Sequence, residues 1–61
     1  MEAIRVVGRN GFSYEARQVS GDVYHVGRYL VLVKEGIVVE TICRATRQAI
    51  AEFRRRGEIF G

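Results

Sequence analysis

The chain has 61 residues, ten Lys and Arg against seven Asp and Glu, and hence a net charge of +3 with an isoelectric point of 9.6. One Cys excludes an internal disulfide, one Cys with one His is too few for a structural zinc site, and no apolar run approaches the roughly 20 residues of a membrane-spanning helix. A chain this short buries only about 60% of the surface it exposes when unfolded, so a single small domain with a marginal core, helped by association, is the expectation.

In chain order, residues 3–7 predict a first strand, with Ile4 and Val6 on one face and Arg5 and Val7 on the other. Gly8-Arg9-Asn10-Gly11 follows as a turn, marked by Asn-Gly, whose two residues both tolerate a positive φ. Residues 12–19 alternate cleanly, Phe12, Tyr14 and Ala16 against Ser13, Glu15 and Arg17, as an antiparallel strand with one wet face does. Ser20-Gly21-Asp22 is a second turn and 23–26 a short third strand. Gly27 then marks a bulge or bend, and the pattern leaves open whether 23–33 is one kinked strand or two. The strand at 28–34 is apolar on both faces from Tyr29 to Val33; Glu35-Gly36 centres a tight turn, and 37–41 returns beside it.

Ile42, Ala45, Thr46, Ala49, Ile50 and Phe53 recur at the spacing of one apolar helical stripe, which predicts a helix over 42–56. Thr41 is its expected N-cap and Gly57 its stop, with 57–61 as a tail. Arg44, Arg47, Arg54 and Arg55 share the opposite face. Arg54 to Arg56 would complement the helix dipole, and Glu52 would pair with Arg56. Cys43, inside this helix, reads as a small buried hydrophobe. The expected fold is α+β: an antiparallel meander of four or five short strands with one C-terminal helix packed on one face.

Catalysis finds little to work with. His25 is the sole histidine and reads as a sheet residue. The carboxylates Glu2, Glu15, Asp22, Glu35, Glu40, Glu52 and Glu58 are scattered, with no marked nucleophile among the other side chains. A non-catalytic module with no cofactor, metal or small-molecule substrate is expected. Glu2, Arg5 and Arg9 interrupt any secretory apolar run, and a lone thiol suits a reducing compartment, so the expected location is cytoplasmic.

Two kinds of partner remain. One helix covers one sheet face, which leaves Leu30, Leu32 and Val38, with Ile59 and Phe60 of the tail, as an apolar interface for a homodimer or another protein. The alternative is a nucleic acid, met by Arg44, Arg47, Arg54 and Arg55 on the helix or by Arg5, Arg9, Arg17 and Arg28 on the sheet, interleaved with Tyr24 or Tyr29. In topology alone, a three-stranded sheet followed by a C-terminal helix resembles the small sheet-reading DNA-binding domains of phage and transposon integrases. Small basic α+β proteins of this kind are also common among phage and plasmid accessory genes.

Overall fold

Five strands and one helix account for nearly the whole chain in the computed structural model, which describes residues 3–60, with side chains described through Arg56. The strands are β1 Ala3–Val7, β2 Ser13–Ser20, β3 Val23–Val26, β4 Tyr29–Lys34 and β5 Ile37–Arg44, and the helix is α1 Arg47–Phe60. The fold is α+β, and each strand pairs antiparallel with the next. The meander also closes on itself as a barrel. An odd number of alternating strands brings the first and last together in parallel, and they meet at a single position, Val7 beside Ile37, with the Val7 N–H donating to the Gly36 carbonyl at 2.9 Å.

Local sequence sets the turns. Residues 23–33 form two strands joined by a two-residue hairpin, since Val26 pairs with Tyr29 and Gly27 takes the positive φ of 57° that such a turn needs. Glu35 and Gly36 both take positive φ, 53° and 77°, in the hairpin between Lys34 and Ile37, as its predicted centre requires. The β1–β2 connection differs from the expected Asn-Gly pair. Gly8 and Gly11 close a turn through Gly11 N–H to Gly8 C=O at 3.0 Å, Gly8 N–H donates to Phe12 C=O at 2.8 Å, and only Gly11 has a positive φ. This is a three-residue loop ending in a left-handed glycine. Asn10 is thereby left with its side chain free for other bonds.

Closure changes what hides the apolar residues. Val6, Ala16, Val31, Val33 and Val38 form the buried cluster inside the barrel, with Tyr24 and Val26 packed on it. Five strands enclose less room than the eight-stranded barrels whose interiors side chains just fill, and valines and an alanine are what this interior holds. Val38, expected at an exposed interface, is therefore a core residue. Leu30 and Leu32 alternate with Val31 and Val33 and so face outward. Leu30 is nonetheless fully buried and Leu32 partly so. Outside the wall lies α1, which packs on β2 and presents Ala49, Ile50 and Phe53 as its less exposed positions. Phe12, expected on the covered face, is 66% exposed in the loop.

The last third is reassigned between strand and helix. Residues 42–44 continue β5, paired with Leu30 and Tyr29 of β4, with register shifts on either side of Val31 and Leu32 that make room for Val39 and Ile42 as extra residues. A β-branched run and a partner strand along its whole length outweigh a helical period that four residues share with either reading. The helix starts one turn later. Thr46, not Thr41, is its N-cap: the Thr46 hydroxyl accepts from Ala49 N–H at 3.1 Å and the Thr46 carbonyl from Ile50 N–H at 3.0 Å. Gly57 lies within the helix rather than ending it. Arg54 to Arg56 consequently precede the last turn, and Arg56 sits over the Phe53 ring at 5.4 Å instead of pairing with Glu52. Cys43 is exposed on β5. The side chains of Ile59 and Phe60 lie outside the described residues.

Candidate functional site

Meander parity places the β1–β2 loop, the β3–β4 hairpin and the end of β5 at one mouth of the barrel. Between them opens a cleft of about 480 Å³, within the range usual for ligand sites. Val31 and Val38 of the core form its floor. Tyr14 and Tyr29, 37% and 45% exposed, stand at its sides, and Arg9 and Arg28 lie on its rim. Thr41 reaches it from β5, which beyond Ile37 has no strand partner on its second side among the described residues. Arg44 is directly opposite Tyr29 in the β4–β5 pairing. Among the described residues no carboxylate lines the cleft.

Tyr14 is held on two sides. Its hydroxyl accepts from Asn10 Nδ2 at 2.7 Å, while Asn10 Oδ1 accepts from Phe12 N–H at 3.1 Å. Its ring lies against Gly8, where an added Cβ would come within 2.7 Å of the ring Cε2. A larger residue beneath it would push the ring or the loop aside. On the other side of the mouth, Arg28 C=O accepts from Ala45 N–H at 2.9 Å, and the His25 ring, half-buried, donates from Nε2 to Gly27 C=O at 2.8 Å. That bond fixes the neutral ring's proton on Nε2 and uses the Gly27 carbonyl.

The arginines fall into three groups. Arg9 and Arg28 are brought together at the cleft, with Arg44 beside Tyr29. Arg5 and Arg17 point to the outside of the wall around Glu15: Arg5 is its cross-strand partner, and the Arg17 guanidinium lies 3.8 Å from its carboxylate. Their charge is locally offset. Arg47, Arg54 and Arg55 are exposed on α1 and do not line this cleft. Among the described residues the ion pairs are Arg17–Glu15 and Lys34–Asp22, so the cleft arginines carry none. Tyr24, inside the barrel wall, is packed on the core.

Gly8, Asn10, Tyr14 and Thr41 were not legible as site residues. In the sequence they read as a turn, an alternating strand face and a cap, and only closure of the barrel shows that these meet. Among the described residues no group of His, Cys, Asp and Glu is placed to hold a metal ion, and no helix is long and apolar enough to cross a membrane. Comparisons with protein-family models, with curated proteins and with solved structures return no match to this chain.

Proposed function

We propose that the protein is a small non-catalytic module that binds nucleic acid at the open mouth of its barrel. The observation that carries the reading is the cleft itself, where Arg9 and Arg28 flank two partly exposed tyrosines over an apolar floor, with no ion-pair partner and no carboxylate in the lining among the described residues. Guanidinium groups suit phosphate, which they can hold through two parallel N–H bonds, and tyrosine rings suit base faces. Arg44, opposite Tyr29, extends the positive rim along β5.

The test is binding of a fluorescent oligonucleotide as salt is raised. If Arg9, Arg28 and Arg44 each neutralise one phosphate of a single strand, the affinity falls about 20-fold between roughly 50 and 200 mM salt. Binding that ignores salt, or is absent, would overturn the reading.

Association with a second copy or another protein is a second reading. It rests on Val7 and Ile37, which are adjacent at the barrel seam and 42% and 51% exposed, together with Phe12. Leu30 and Val38, buried within one chain, no longer support it. Light scattering at micromolar concentration tests it, and a strict monomer that captures no protein would count against it.

A further inference from the structure

We infer that the cleft receives an unpaired base, so that the partner is single-stranded nucleic acid; this rests on the nucleic-acid reading above. Phosphate alone explains the arginines but leaves the floor of Val31 and Val38 and the tyrosine sides without a task. A planar, apolar-faced group does explain them. In a duplex the base faces are stacked on one another and only their edges are offered, so nothing planar can enter a recess unless it is unpaired or flipped out.

Tyr14 is built for such a contact. Gly8 beneath the ring and Asn10 on the hydroxyl hold it in place before any ligand arrives, so little ordering entropy is lost on binding. Two of the neutral polar groups around the recess are already occupied: both ends of the Asn10 amide are bonded, to Tyr14 and to Phe12 N–H, and the Gly27 carbonyl is bonded to His25. With the arginines engaged by phosphate, Thr41 and the tyrosine hydroxyls are the neutral side chains of the lining left to read a base edge. Recognition therefore runs through stacking and tolerates sequence, as it does on other aromatic platforms for single strands.

The experiment compares three probes at one salt concentration: an unstructured oligothymidine strand, a hairpin duplex of equal charge, and an abasic strand of the same length. The intact chain is used, alongside Tyr29→Ala and Tyr14→Phe variants. The single strand is expected to bind at least about tenfold tighter than the duplex and the abasic strand, in line with one or more stacked bases. Tyr29→Ala should weaken single-strand binding about 5- to 100-fold, with the salt slope kept. Tyr14→Phe, which keeps the ring and loses only its bond to Asn10, should weaken single-strand binding by less than Tyr29→Ala. Equal, salt-dependent binding of all three probes would overturn the unpaired-base inference while leaving nucleic-acid binding intact. Binding of none would overturn both. The abasic comparison needs no substitution, so a variant that fails to fold does not blunt the test.

Discussion

The Asn10 amide donates to the Tyr14 hydroxyl across the β1–β2 loop at 2.7 Å and, through its oxygen, accepts from Phe12 N–H at 3.1 Å. One side chain thus ties the loop to itself and to a ring of the cleft. Asn10→Ala should lower stability by about 0.5 to 1 kcal/mol, the net worth of exposed hydrogen bonds, measured by urea denaturation. It should also weaken oligonucleotide binding, because Tyr14 loses its hold. A variant as stable as the original protein and as tight in binding would remove Asn10 from the site.

Gly8 is required by contact rather than by backbone angle. A methyl there meets Tyr14 Cε2 at 2.7 Å and Asn10 Oδ1 at 3.0 Å. Gly8→Ala should displace the Tyr14 ring and cost about 1 kcal/mol, at the low end for overpacking because the ring is partly exposed. The ring resonances of Tyr14 in an NMR spectrum report the displacement. Unmoved resonances would show that the loop, not the ring, gives way.

The start of the helix can be read from two threonines. Thr46→Ala removes the cap bond to Ala49 N–H and should cost about 1 kcal/mol. Thr41→Ala, in β5, should leave helix content unchanged by circular dichroism. The reverse result would restore a helix beginning near residue 42.

Leu30 faces outward yet is fully buried, so its removal should behave as a core deletion. Leu30→Ala is expected to cost about 2 to 5 kcal/mol, and Leu32→Ala, only partly buried, clearly less. Equal small losses would mean that Leu30 is not packed as a core residue.

Much of the fold was legible because its signals are local. Period-two alternation in β1 and β2, glycines at three hairpins and a C-terminal apolar stripe each carry their own physics. What could not be read is long-range. Nothing near Val7 announces that it meets Ile37, and that pairing turns an open sheet with a spare apolar face into a barrel with Val38 inside. The helix boundary failed for a related reason, since Ile42 fits a helical stripe and a β-branched strand equally well, and β4 decides between them. Of the expected nucleic-acid residues, Arg9 and Arg44 fall at the mouth, whereas Arg5, Arg17, Arg47, Arg54 and Arg55 do not. Charge was visible in the sequence; which charges share a concave surface was not.

The most direct measurement is an NMR titration of the labelled protein with a short single-stranded oligonucleotide, following backbone amides. Binding at the barrel mouth predicts shifts concentrated in residues 8–10, 27–29 and 41–44, with 47–56 of the helix nearly still. Shifts confined to the helix around Arg47, Arg54 and Arg55, or none at all, would contradict it.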